Sequence, residues 1–218
     1  MPKRNYELAF GQTKYKSKKE KVEQETEEEP EMVDMDFFGM GESVSVRDNH
    51  IYFYGNVTTK NAVKLNTAIR DITKKLINVQ TDYGVDNLKI YLHINSFGGS
   101  VFAGLSVIDT ILSNYIPIVS IIEGSAASAA TLISVVCSER TIKPNSFMLI
   151  HQLSSGFWGK MEEIKDEFIN LKKLMKKLKG IYKEHTSIKK DDLKDLLKRD
   201  LWLDSQESLK YGLVDRIE

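Results

Sequence analysis

The sequence predicts an α/β fold built from successive strand–helix–strand units. Segments rich in β-branched and aromatic residues alternate along the chain with segments whose apolar residues recur at helical spacing. The segment 116–124 (IPIVSIIEG) is almost continuously apolar, which is typical of a strand that is buried on both faces of a parallel sheet. This alternation indicates stacked βαβ units.

The first half of the pattern lies between residues 50 and 138. Strands are predicted over 50–57, 86–96 and 116–124, and helices over 58–79, 100–114 and 125–138. The helix that begins near residue 58 has a threonine at its start, and we expect Thr58 or Thr59 to cap it.

The second half of the pattern is mostly helical. A strand is predicted near 147–150, and helices over 160–185, 187–198 and 205–211. The long helix at 160–185 is charged and amphipathic, with a continuous apolar stripe. Ser187 is a candidate cap of the second of these helices. Asp204 and Glu207 have capping-box spacing at the start of the last helix, and Gly212 follows its end.

Charge and composition exclude several classes of partner. The chain has 31 basic and 31 acidic residues and a net charge of zero, so it lacks the basic excess that a nucleic-acid-binding protein needs. No apolar run approaches the roughly 18 residues of a membrane span. Its single cysteine, Cys137, cannot form an internal disulfide, and its apolar neighbours predict a buried structural thiol rather than a reactive one. We therefore expect a cytoplasmic protein with no membrane partner and no nucleic-acid partner.

The N-terminal segment, residues 1–42, differs in composition from the rest. A basic stretch is followed by an acidic run and then a short apolar patch, and few of these residues suit a core. We expect a disordered or propeptide-like charged segment over 1–42. The folded domain is predicted to occupy 43–218.

A double glycine follows the second predicted strand. Gly98 and Gly99 end the motif NSFGG, where glycine allows a sharp turn and lets a backbone N–H face a ligand. Ligands of open α/β sheets bind at the carboxyl ends of strands, so the location suits a site. A tight turn with no other role is the competing interpretation.

Ser128 lies where the apolar strand meets the next helix, in the motif GSAAS. A serine in such a turn can point its hydroxyl into a cleft beside the N–H groups of a helix N-terminus. Acyl transfer requires two N–H donors for the oxyanion, and the N–H groups of Gly98 and Ala129 form the natural pair. A helix built of small residues for close packing is the competing interpretation.

Two further residues could activate that serine. His151 follows the apolar strand near 147–150, and an imidazole is suited to act as a general base near neutral pH. Asp200 precedes the apolar residues 201–203, which should draw its segment against the core. A structural histidine and a surface or capping aspartate are the competing interpretations.

Together these four segments resemble the ClpP family of serine peptidases. Gly98-Gly99, GSAAS, Pro144-Asn145-Ser146 before His151, and Arg199-Asp200 before Tyr211-Gly212-Leu213 occur in the order of that family's motifs. The resemblance runs from about Ile51 to Glu218. Phe97 stands where the family usually has proline, and His93 replaces an aromatic residue that often lines the ATPase-docking cleft.

The resemblance implies a fold, a reaction and an assembly. The fold is a ClpP/crotonase-like spiral of βαβ units with a projecting handle, a strand plus a long helix, at about 153–185. The catalytic residues are Ser128, His151 and Asp200, the oxyanion donors are Gly98 and Ala129, and the substrate-binding residues are Gly99 and Gly156. Neither a metal nor another cofactor is expected. The implied partners are a peptide or unfolded-protein substrate, further copies in a heptameric ring (possibly stacked in pairs) and a Clp ATPase.

Three other functions are compatible with parts of the pattern. A maturation or signal-peptide-type peptidase of related fold uses a lysine base in some members. A catalytically silent ring or scaffold subunit would keep the fold without the reaction. An acyl-CoA enzyme of the crotonase type would share the spiral and the oxyanion hole but would not need the serine, histidine and aspartate together.

Overall fold

A computed structural model describes residues 43–218 of the chain, and the expectations for 1–42 lie outside the described residues. The strands are β1 Val44–Arg47, β2 His50–Tyr54, β3 Ile90–Ser96, β4 Ile118–Ala127, β5 Glu139–Ile142, β6 Phe147–Leu149 and β7 Arg216–Ile217. The helices are α1 Thr59–Tyr83, α2 Val101–Leu112, α3 Ala129–Val135, α4 Met161–His185, α5 Lys190–Leu196 and α6 Ser205–Lys210.

The strands form one mixed sheet in the order β1-β2-β3-β4-β5-β7, and β6 pairs with the far end of β4. The pairings from β2 through β7 are parallel, whereas β1 and β2 form an antiparallel ribbon. Helices α1, α2 and α3 connect parallel neighbours, as the predicted βαβ units require. The predicted α/β class is therefore confirmed.

The sheet positions match the apolar pattern of the sequence. In β4, Ile118, Val119 and Ile122 are all buried, as expected for a strand covered on both faces. Helix α1 begins after Thr58, whose side chain accepts a hydrogen bond from the N–H of Asn61. Helix α6 has the predicted capping box of Asp204 and Glu207.

Several predicted boundaries are wrong by a few residues: β2 ends at Tyr54 rather than at residue 57, β3 begins at Ile90 rather than at residue 86, and α1 ends at Tyr83 rather than at residue 79. The segment 125–127, predicted as the start of a helix, continues β4, and α3 begins one residue after Ser128. Backbone pairing with β6 overrides the helical preference of the small residues there. Helix α5 begins after Lys189 rather than Ser187. The pairings of β1, β5 and β7 were not predicted, since strands of two to four residues carry little periodicity.

The projecting element contains the predicted long helix but not the predicted strand. Helix α4 spans Met161–His185, whereas residues 151–160 form neither strand nor helix. A strand needs a neighbouring strand to pair with, and no described strand pairs with residues 151–160. The C-terminal part of α4 is buried at Leu178, Ile181 and Tyr182, while its N-terminal part exposes Ile164 and Phe168.

Within residues 43–218, no helix combines the length and the apolar character that crossing a membrane would require.

Candidate active site

The carboxyl end of β4 is shaped by a break in its pairing with β3. Ile94 pairs with Ile122, but two residues later Ser96 pairs with Ala126, so β4 carries extra residues between these two pairs. Gly124 has a φ of 84° in this excursion. The side-chain oxygen of Asn95 accepts hydrogen bonds from the N–H of Ser125 at 3.2 Å and from its hydroxyl at 3.1 Å. The side-chain amide of Asn95 therefore stabilises the irregular segment of β4 and fixes the direction of the residues that follow it.

Ser128 lies in a strained turn between β4 and α3. Its φ of 57° and ψ of −124° are unfavourable for a residue with a side chain. The conformation is held because the N–H of Ser128 donates to the carbonyl of Leu149, at 2.8 Å, in the neighbouring strand. A serine in such a strand-to-helix turn is the arrangement in which a nucleophile is presented at the top of a sheet.

The hydroxyl of Ser128 is not engaged in structural hydrogen bonding. Ser128 occupies the N-cap position of α3, yet its side chain does not cap the helix. Its Oγ is buried and makes no hydrogen bond to any described residue. The hydrogen bond between Ser128 and His151 is therefore not formed in this conformation. Hydrogen bonds between catalytic groups commonly tighten only when substrate binds.

Gly98 lies directly against the Ser128 turn. A side chain at Gly98 would place its Cβ 2.6 Å from the carbonyl oxygen of Ala127, 2.6 Å from Cβ of Ser128 and 3.1 Å from the nitrogen of Ala129. The φ of Gly98 is 94°, which also favours glycine. The structure thus brings together the loop and the helix N-terminus that carry the two predicted oxyanion donors.

Gly99 and Gly156, the two glycines predicted to bind substrate, have surroundings unlike those of Gly98. Gly99 has a φ of 143°, and a Cβ there would lie 2.5 Å from the carbonyl oxygen of Val57. The Val57 carbonyl also accepts from the N–H of Ser100 at 2.7 Å, so Gly99 allows the loop to pack on this backbone. Gly156 lies in the exposed stretch that follows His151.

His151 and Asp200 are adjacent. Nδ1 of His151 lies 3.2 Å from Oδ1 of Asp200. Backbone hydrogen bonds hold the two segments together on both sides of this contact. Met148 exchanges two with Leu203, at 2.8 and 2.7 Å, and the N–H of Gln152 donates to the carbonyl of Leu197 at 2.8 Å. The pair therefore rests on a backbone framework and not on its side chains alone.

The surroundings of His151 favour its neutral form. Burial lowers its pKa below the ordinary value, and the charge of Asp200 and the hydrogen bond to it oppose that shift. A neutral imidazole can accept a proton near pH 7. Because Nδ1 faces Asp200, proton transfer with a substrate or a nucleophile would have to use Nε2. The side chain of Asp200 is 79% exposed, so solvent screens its charge.

Helix α3 is tied to the long helix through a hydroxyl pair. The Thr131 hydroxyl lies 2.6 Å from the carbonyl oxygen of Ser128, to which it donates, and 2.5 Å from the hydroxyl of Tyr182 in α4. Tyr182 is buried, and its burial raises the pKa of its phenol. The turn that carries Ser128 is therefore fixed partly by a residue of the projecting helix.

Sequence reasoning missed several residues that shape this site. The role of Asn95 depends on a pairing irregularity that the sequence does not display. Ser96 precedes the double glycine, and its hydroxyl accepts a hydrogen bond from the N–H of Gly98 at 3.1 Å. A serine two residues before a glycine is a recognisable turn pattern and could have been noted.

Comparison with known proteins gives consistent similarities. Residues 45–218 match the family model described as Clp protease. The chain is 34% identical to the ATP-dependent Clp protease proteolytic subunit of Deinococcus radiodurans over 131 residues, which is 59% of this chain and 64% of that protein. It is 34% identical to the proteins of the same name from Bacteroides fragilis and Bacteroides thetaiotaomicron over 158 residues, which is 70% of this chain and 76% and 72% of those proteins.

Proposed function

This chain belongs to the Clp protease family, and on that premise we propose that it is a serine endopeptidase with Ser128 as nucleophile, His151 as general base and Asp200 as the residue that orients the base. Two observations carry the assignment: Nδ1 of His151 contacts Asp200, and a strained, buried serine with an unengaged hydroxyl bonds through its N–H to Leu149, two residues before His151. No such arrangement is needed by a scaffold or by a CoA-binding relative.

In the proposed reaction, Nε2 of His151 takes the hydroxyl proton as Oγ of Ser128 attacks the carbonyl carbon of a peptide bond. The negative charge that develops on the carbonyl oxygen is held by the N–H groups of Gly98 and Ala129. The C–N bond then breaks, and the imidazolium returns the proton to the leaving amine. Water attacks the resulting ester by the reverse sequence of proton transfers, and Ser128 is regenerated.

Asp200 acts through His151 in this scheme. Its contact with Nδ1 fixes the tautomer and stabilises the imidazolium that forms in the transition state. Gly99 supports the oxyanion loop by its fit on Val57. We assign Gly156 to the substrate path, because it lies in an exposed stretch five residues after the proposed base. Apart from the hydrolytic water, the proposed reaction uses only side chains and backbone groups of the protein.

We further propose that the chain assembles into heptameric rings, and that two rings stack as a pair through α4. This helix exposes Ile164, Phe168 and Ile169 at its N-terminal half, and Trp158 precedes it with 86% of its surface exposed. Apolar residues in such a run are stabilised when another chain covers them. Native mass spectrometry of the wild type and of Phe168→Glu tests this. The wild type should be an oligomer, and the variant should form a smaller one because its carboxylate lies in the apolar contact.

We propose that this chain acts in the cytoplasm on peptides and unfolded proteins. The proposed partner that unfolds these proteins is a Clp ATPase. His93 lies in a group of stacked rings on β2 and β3. Its ring is 4.4 Å from that of Tyr52, and His50 lies 4.7 Å from Tyr91. This aromatic face fits the position at which the resemblance places ATPase docking. ATP-dependent degradation of an unfolded protein by the paired components would support the partnership.

The direct test is labelling with a fluorophosphonate probe, followed by peptide mapping. We expect one adduct, on Ser128, that is lost in both Ser128→Ala and His151→Ala. Ser125→Ala is the matched control, because Ser125 is three residues away and its hydroxyl is engaged with Asn95. The Ser125→Ala variant should still be labelled at Ser128.

Two results would reject the assignment. An adduct that persists in Ser128→Ala would place the nucleophile elsewhere. A folded, assembled wild type that neither reacts with the probe nor cleaves peptides, alone or with an ATPase, would identify a silent ring subunit.

A further inference from the structure

The oxyanion loop is held by a side chain that the proposed reaction does not use. The hydroxyl of Ser96 accepts a hydrogen bond from the N–H of Gly98 at 3.1 Å. Ser96 is the last residue of β3 and is 2% exposed, so water has little access to this contact. The N–H of Gly98 carries one proton. While it points at Ser96 it cannot point fully at an oxyanion.

The loop has limited freedom around this contact. The carbonyl of Gly98 accepts from the N–H of Val57 at 2.8 Å, and the N–H of Ser100 donates to the carbonyl of Val57 at 2.7 Å. These bonds fix the peptide groups that follow Gly98. The group between Phe97 and Gly98 is instead held at its N–H by Ser96, and glycine at one end allows that group to rotate.

Ser128, like Gly98, is not in the arrangement that the proposed reaction requires. Its hydroxyl makes no hydrogen bond to a described residue. The nucleophile and one oxyanion donor are therefore both out of their reactive arrangement in the same conformation. Because Gly98 lies against Cβ of Ser128, rotation of the group between Phe97 and Gly98 takes place next to the nucleophile.

We propose that Ser96 is a positioning residue that holds the Gly98 N–H in the resting state and releases it to the oxyanion during catalysis. This inference rests on the proposed function, since it assigns Gly98 as an oxyanion donor. Ser96 competes with the oxyanion for one donor. Its hydrogen bond therefore stabilises the resting enzyme relative to the transition state and lowers the rate of acylation.

The test is Ser96→Ala. Removing a competing hydrogen bond of ordinary strength should raise kcat for a short peptide and the rate of fluorophosphonate acylation by about fivefold, with KM unchanged. Ser96→Cys keeps the volume but is a weak acceptor, and should fall between alanine and wild type. Ser96→Cys also replaces Ser96→Ala as the test variant if the alanine variant is too unstable to purify. Ser100→Ala is the control, because Ser100 lies on the same loop and caps α2 instead; its kcat should stay within about twofold of wild type.

Amide hydrogen exchange at Gly98 provides a readout that does not depend on activity. Exchange should be faster in Ser96→Ala than in the wild type, because the acceptor is gone. A folded Ser96→Ala with slower acylation at the same KM would overturn the proposal, since Ser96 would then support the reactive loop. If neither protein reacts at Ser128, the proposed function fails. Amide exchange then tests the Ser96–Gly98 hydrogen bond by itself. Equal exchange at Gly98 in Ser96→Ala and the wild type would reject the hydrogen bond, and faster exchange in Ser96→Ala would support it.

Discussion

The rings of Phe97 and Trp202 meet edge to face, with 6.0 Å between their centroids and an angle of 82° between their planes. Phe97 precedes Gly98, and Trp202 lies two residues after Asp200, so this contact joins the proposed oxyanion loop to the segment that carries the proposed partner of His151. Both rings remain partly exposed, at 69% and 42%. The contact therefore links two parts of the site across its surface.

We expect Phe97→Ala and Trp202→Ala to be non-additive in kcat/KM. Edge-to-face pairs contribute about 0.5–1.5 kcal/mol beyond their buried area, and losing either ring removes the whole contact. A double-mutant cycle on peptide hydrolysis measures the coupling. Phe102→Ala, which removes a comparably exposed ring from α2, provides the control cycle with Trp202→Ala. Additive effects for Phe97 and Trp202 would contradict the prediction.

Asp200→Asn should lower kcat/KM by roughly 10²–10³, less than the loss typical of a fully buried aspartate in a triad. The reason is exposure: the Asp200 side chain is 79% accessible, and solvent screens its charge. Steady-state peptide hydrolysis measures the effect. Asp195→Asn is the control, since Asp195 pairs with Lys198 on the surface of α5. Equal effects of the two changes would remove Asp200 from the proposed mechanism.

The pH dependence of kcat/KM should have an acid limb with a midpoint below 6.5. His151 must be neutral to accept a proton, and burial lowers its pKa from the ordinary value of 6.5. Activity is therefore lost as pH falls through that lowered pKa. Asp200 opposes the shift, so the midpoint should move to still lower pH in Asp200→Asn. A midpoint that rises in this variant would contradict the assignment of the base.

Gly98→Ala should lower kcat by about 10²-fold or more, the loss typical of one oxyanion donor. The added Cβ would meet backbone and Ser128 atoms at 2.6 Å, so the loop must shift away from the nucleophile. Gly180→Ala in α4 meets nothing within 4 Å. It should leave kcat unchanged and raise the free energy of unfolding by about 1 kcal/mol. Full activity in Gly98→Ala would argue against this donor.

Ser128→Gly should be inactive yet more stable to urea than Ser128→Ala, by about 1 kcal/mol. Both changes remove the hydroxyl, but glycine alone accepts a φ of 57° without strain. The gain is limited by the larger entropy that glycine loses on folding. Equal unfolding midpoints for the two variants would show that the turn stores no strain.

The order of elements was readable from the sequence because most strands and helices are long and strongly patterned. The continuous apolar run of β4 fits a buried strand and not an amphipathic helix. The apolar residues of α1 and α4 recur at helical spacing and do not fit a strand. The start of α3 was misplaced because pairing of Ser125, Ala126 and Ala127 with β6 depends on residues more than 20 positions away. Local preference carries no information about such a partner.

The candidate site was predictable in composition but not in arrangement. Ser128, His151 and Gly98 were predicted from their places after strands, and Asp200 from the apolar residues that follow it. The family resemblance predicted all four. The hydrogen bond from Gly98 to Ser96 and the unengaged hydroxyl of Ser128 depend on rotations of single bonds. No residue pattern in the sequence encodes which of these rotations the loop adopts.

The backbone frame around Asp200 has a consequence for synthesis on the ribosome. Ser128 and His151 are translated well before Asp200, and Met148 and Gln152 find their partners only when Leu203 and Leu197 have been made. A nascent chain that has folded β4 and β6 therefore still lacks Asp200, the proposed partner of His151. Under the proposed mechanism, peptide hydrolysis would begin only after residues 197–203 have left the exit tunnel and paired with Met148 and Gln152.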